Sequence, residues 1–155
     1  VDDCTFWYTN DYGTGAGNWA TRIGVFKFSS SAQEVVFEDV PPGYWAEEFI
    51  YKIYEAGITG GCSQDPLLYC PEDPVSRDQM AVFLLSSKYG SDYTPPAATG
   101  IFGDVLTDYW AAAWIEQLYN EGVTGGCSQD PLLYCPDSSV TRAQMAVFLI
   151  KTFDL

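Results

Sequence analysis

The chain has 155 residues, nearly half of them apolar and many aromatic, which suits one domain, or two very small ones sharing a core, and not a disordered segment. Its 21 acidic and 7 basic residues give a formal charge of −14, and it has no histidine. That balance excludes a basic patch, and with it a nucleic-acid partner, and disfavours an anionic membrane surface. No apolar run approaches the ~20 residues that span a bilayer. The chain starts without a basic-then-apolar leader, so any signal peptide is expected to have been removed.

Residues 1–36 form an N-terminal arm. Cys4–Thr9 and Ala20–Phe28 are β-prone runs joined by the glycine-rich stretch NDYGTGAGN, which predicts a hairpin. A third short strand is expected near Val35 and Val36. A lone hairpin is marginal in water, so this aromatic-rich arm is expected to dock on the rest of the chain or on another copy.

The remainder is an internal duplication. Residues 37–90 and 102–155 align without a gap at an offset of 65, with 91–101 as a short linker stiffened by Pro95 and Pro96. Each copy reads as helix, loop, helix. Ala46, Phe49, Ile50, Ile53 and Tyr54 make one apolar stripe, ended by Gly57; Ala111, Trp114, Ile115, Leu118 and Gly122 repeat it. The loop TGGCSQDPLLYCP is identical in both copies, and its SQDP reads as a turn. The second helix opens on a capping box, Ser76 with Gln79 and Thr141 with Gln144. Its buried face is Met80, Phe83 and Leu84 in one copy and Met145, Phe148 and Leu149 in the other. The fold class expected is mainly α: two helix–disulfide loop–helix repeats packed together, with a small β-hairpin arm.

Four of the five cysteines form two pairs of the same spacing, Cys62 with Cys70 and Cys127 with Cys135. Zinc competes with disulfides here, but without histidine and with seven residues between partners the disulfide reading is favoured over structural zinc. Disulfides persist in oxidising compartments, which predicts a secreted or surface-displayed protein. Cys4 is left over, a candidate intermolecular thiol.

The ordered features resemble the S-layer homology (SLH) repeat: Phe-x-Asp-Val, an aromatic-Trp-Ala helix start, Gly-Ile/Val-Thr-Gly after the first helix, and a second helix opening on Ser/Thr-Arg. They occur twice and cover about two thirds of the chain. The resemblance implies packing as part of a pseudo-threefold bundle and binding of cell-wall polymers, often pyruvylated, in grooves between repeats. It further implies that Arg77 and Arg142, beside Ser76 and Thr141, contact an anionic sugar substituent, with Gly60, Gly61, Gly125 and Gly126 letting backbone approach the ligand. This chain has two repeats where three are usual, and Gln79 and Gln144 stand where an acid is usual.

Other readings of the same residues are structural. Trp45 and Trp110 suit sugar stacking, yet tryptophans at a helix start are more often core. Arg77 and Arg142 could instead pair with Asp39 or Asp104. The acidic residues form no Asp-x-Asp-x-Asp-Gly calcium loop, and a serine or cysteine nucleophile would lack a histidine base. The expectation is a non-catalytic extracellular cell-envelope module, without cofactor or metal, anchored by surface polysaccharide. The alternative is a self-assembling subunit of a surface filament or layer, its arm docked on a neighbour.

Overall fold

The computed structural model describes residues 5–13, 19–27 and 35–155. Two compact units divide the chain, one ending at Val36 and the other running from Phe37 to Leu155. The first holds an antiparallel hairpin, β1 (Thr5–Gly13) with β2 (Trp19–Lys27), in register from Thr5 opposite Lys27 to Gly13 opposite Trp19. β1 therefore runs on through Asn10–Gly13, which sequence alone assigned to the connection. Val35 and Val36 are not in a strand; among the described residues β1 and β2 pair only with each other. Cys4 lies outside the described residues.

The second unit is mainly α with small hairpins. It contains α1 (Glu47–Glu55), β3 (Ser63–Gln64), β4 (Leu67–Leu68), α2 (Arg77–Tyr89), α3 (Ala112–Asn120), β5 (Ser128–Gln129), β6 (Leu132–Leu133) and α4 (Arg142–Phe153). Among the described residues no helix is long and apolar enough to cross a membrane. The first helix of each repeat stops where Gly57 and Gly122 take positive φ of 69° and 72°. α4 opens on the expected box: Thr141 N donates to Gln144 Oε1 at 3.0 Å, and Gln144 N donates to Thr141 Oγ1 at 3.2 Å. α2 opens on the same box, Ser76 with Gln79, and Asp78 joins it. Ser76 N donates to Gln79 Oε1 at 3.1 Å, while the Asp78 carboxylate takes the Ser76 hydroxyl and the Gln79 amide.

Each loop is a small hairpin closed by a disulfide, Cys62–Cys70 and Cys127–Cys135, with Cα atoms 6.0 Å apart in both. The Phe-x-Asp-Val opening explains itself here. Phe37 and Val40 are buried under the first loop, and between them Asp39 accepts Tyr69 N at 2.8 Å and Cys70 N at 2.6 Å. Asp104 does the same for Tyr134 and Cys135. Both aspartates thus clamp their own loops, and neither pairs with Arg77 or Arg142. They also sit close to the cysteine sulfurs, a grouping that could hold a metal. With the sulfurs joined to each other and the carboxylates committed to amides, no free thiolate remains there for one.

The main core lies where α2 packs on α3 and α4, with Met80, Leu84, Leu85, Ile115, Leu118 and Phe148 buried together. The two repeats differ at this point. Ala111, Ile115 and Leu118 of α3 are buried, as its stripe predicts. In α1 only Ile50 is buried and Phe49 is exposed, because among the described residues no helix packs on α1. Likewise Leu84 is buried whereas Leu149, expected in the core, is exposed.

The linker is fastened by a residue that periodicity did not single out. Glu116 on α3 is buried, and its carboxylate accepts Thr99 N, Thr99 Oγ1, Gly100 N and Ile101 N at 2.6–2.9 Å. Desolvation alone would raise its pKa; the three amides and the hydroxyl outweigh that and hold the carboxyl below its ordinary value. A depressed folded-state pKa contributes stability that is present above the ordinary carboxylate range and is lost as pH falls through the lowered value. Glu116→Gln should cost roughly 2 kcal/mol at neutral pH in urea unfolding. The gap to the wild type should close as pH falls below about 4; a gap that is constant with pH would contradict a role for the charge.

Candidate functional site

The second unit carries a cleft of about 400 Å³ between the first disulfide loop, the start of α2, and Trp110 of the second repeat. It gathers four of the residues expected to bind ligand: Gly60, Gly61, Ser76 and Trp110. Gly125, Gly126, Thr141 and Arg142 lie on the second repeat, and Trp45 flanks a separate shallow groove beside Phe49. The expected sites are therefore not two equivalent pockets.

Of the paired glycines, Gly61 and Gly126 serve the loop itself. Each has positive φ, and a Cβ there would lie 2.3 Å from the carbonyl oxygen of Leu68 or Leu133. Those carbonyls accept the amides of Cys62 and Cys127, so any side chain would break the pairing that closes the hairpin. Gly60 and Gly125 meet nothing closer than a glutamine side chain.

The tryptophans correct the core reading. Trp45 is 81% exposed and Trp110 59% exposed. The alanine that follows is more enclosed: Ala111 is fully buried and Ala46 half-buried. Neighbouring Tyr109 donates to Asp78 Oδ2 at 2.6 Å, and burial together with that hydrogen bond pushes its hydroxyl up to about 12.

The two arginines, identical in local sequence pattern, have opposite environments. Arg77 is 3% exposed. Its Nε donates to the Tyr134 carbonyl at 2.8 Å and its Nη2 reaches Thr124 Oγ1 at 3.5 Å. The guanidinium lies over the rings of Tyr134, at 4.8 Å, and Phe148, at 5.7 Å. Tyr134 in turn donates its hydroxyl to the Arg77 carbonyl at 2.7 Å, and burial holds that phenol well above its ordinary pKa. Around this centre Arg77 N donates to the Ser138 carbonyl, Asp78 N to that of Pro136, and Val140 N to that of Val75. Arg77 is thus a joint between the repeats and unavailable to a ligand. Arg142 is exposed at the start of α4.

No protein-family model matches the chain, and no curated protein matches it.

Arg77→Ala should lower stability by about 3 kcal/mol, since it leaves the Tyr134 carbonyl without its donor and opens a cavity between two rings. Arg142→Ala should change it by less than about 0.5 kcal/mol. Denaturant midpoints of the two variants check the contrast; equal effects would show that the two sites are alike.

Proposed function

We propose that this chain is a non-catalytic, extracellular module of the cell envelope, of the SLH kind, that holds its protein at the surface by binding glycan in the cleft beside Trp110. The observation that carries the reading is an exposed indole forming one wall of a concave, partly polar site. An aromatic face against a sugar ring, with small hydrogen-bonding groups opposite, is a sufficient basis for carbohydrate recognition. Two disulfides support an oxidising location. Among the described residues no lysine or arginine lines the cleft, and Asp73 does. Its chemistry therefore suits the neutral hydroxyls of a sugar, and the anionic substituent expected from the family resemblance would find no cation there.

A second reading, self-assembly, is favoured by apolar side chains left open on α1 and α4, among them Phe49, Val147, Ile150 and Phe153.

Cosedimentation with purified envelope polysaccharide tests the first reading. Trp110→Ala should weaken retention by roughly tenfold while leaving thermal unfolding unchanged, because the indole is largely outside the core. Retention equal to that of the wild type would remove the cleft from glycan binding.

A further inference from the structure

The joint between the repeats has a twin at each end of the pair. Inside the chain α2, the second helix of repeat 1, covers α3, the first helix of repeat 2. At the offset of 65 the twin of α2 is α4 and the twin of α3 is α1. Among the described residues both twins are open. Leu85 is fully buried, whereas its twin Ile150 is 51% exposed; Ala81 is buried and its twin Ala146 exposed. On the other half, Trp114 is half-buried and packs on the core, whereas its twin Phe49 is 65% exposed.

The arginine seat follows the same rule. Arg77 is held by Thr124, Tyr134 and Phe148. Their twins are Thr59, Tyr69 and Phe83, and all three line the cleft of repeat 1. The cleft is therefore an arginine seat without its arginine, and the twin of Arg77 is the exposed Arg142.

Charge agrees with shape. α4 holds Arg142 and Lys151 and no carboxylate, while α1 holds Glu47, Glu48 and Glu55 with Lys52 as its one cation. In a chain of net charge −14 this is a local inversion that draws α4 toward α1. Where α2 and α3 meet through the ion pair of Lys88 and Glu121, 3.0 Å apart, the twin positions are Phe153 and Ala56. Polar has become apolar on both sides, which keeps the two surfaces complementary.

We propose that α4 of one copy docks on α1 and the adjoining cleft of a second copy, with Arg142 seated between Tyr69 and Phe83. Copies then join head to tail by reusing the joint that ties repeat 1 to repeat 2. The inference rests on the self-assembly reading and names its interface; it does not depend on glycan binding. The contact is heterologous, so copies add in a row unless the rotation closes a ring. In an open row every cleft but one is filled, and the end subunit alone keeps a cleft for glycan.

The test is the molar mass of the full chain against concentration, by light scattering after size exclusion, for wild type, Arg142→Glu and Phe49→Asp. Both substituted side chains are exposed, so circular dichroism should report an unchanged fold. The wild type should grow with concentration, and each variant alone should associate at least roughly tenfold more weakly, the loss expected for a charged hydrogen-bonded contact or a docked aromatic. An equimolar mixture should give a one-to-one dimer and nothing larger, because Phe49→Asp retains a working α4 and Arg142→Glu a working α1. If the variants assemble as the wild type does, copies associate through another surface, and this joint is wrong while self-assembly stands. If the wild type assembles but the mixture stays monomeric, the head-to-tail pairing is wrong. A wild type that is monomeric at every concentration would overturn both the joint and self-assembly.

Discussion

The two repeats act as one folded unit because a charged side chain is buried between them. Arg77 reaches that position with no carboxylate partner among the described residues: a carbonyl, a hydroxyl and two ring faces hold its guanidinium. Burying a cation is costly, so the groups around it must be placed closely. The backbone provides that placement. Three amide-to-carbonyl bonds run between residues 75–78 and 136–140, fixing the start of α2 against the second loop before the side chain is counted. The two disulfide loops are therefore more than local staples. The second is the surface on which the first repeat is registered.

That dependence extends inward. Asp104 holds the amides of Tyr134 and Cys135, and Tyr134 is the residue that both accepts from Arg77 and donates back to it. A carboxylate at the opening of repeat 2 thus sets the position of a ring that locks repeat 1. Glu116 adds a second fastening by gathering the amides that end the linker. In repeat 1 the matching position is Tyr51, whose hydroxyl accepts the Phe37 amide and, among the described residues, no other donor. The first repeat consequently has a smaller and separate core around Phe37, Val40 and Ile50.

Much of this was legible in the sequence, and what was not has a common cause. The duplication, the paired cysteines, the helix stops at Gly57 and Gly122, and the box at Thr141 depend on local sequence, and they occur where local sequence puts them. Burial depends on neighbours. Arg77 and Arg142 sit in nearly the same motif, as do Leu84 and Leu149, yet one of each pair is buried and the other exposed, since α2 lies against α3, whereas among the described residues α4 packs only on α2. Helical periodicity marked Phe49 and Leu149 as core because it reports which face is apolar, not whether a partner is present. Glu116 and Asp39 were missed as clamps for a related reason: their partners are backbone amides, which leave no trace in side-chain pattern. A carboxylate placed directly after an apolar run on a helix, as Glu116 is after Ala111–Ile115, was the available signal.

Repeat arrays are stable when their ends are sealed by polar faces, because each unit otherwise exposes the surface meant for its neighbour. Among the described residues of the second unit, no polar element covers α1 or the outer face of α4. α1 presents Phe49 beside glutamates, and α4 presents Val147, Ile150 and Phe153 beside Arg142 and Lys151. An apolar helix with a cation at its start would match α1, and an acidic helix with a receptive loop would match α4. These two requirements are complementary to each other. The repeat itself carries both kinds of surface, so the physics that joins two repeats within the chain would also serve the head-to-tail joint proposed above.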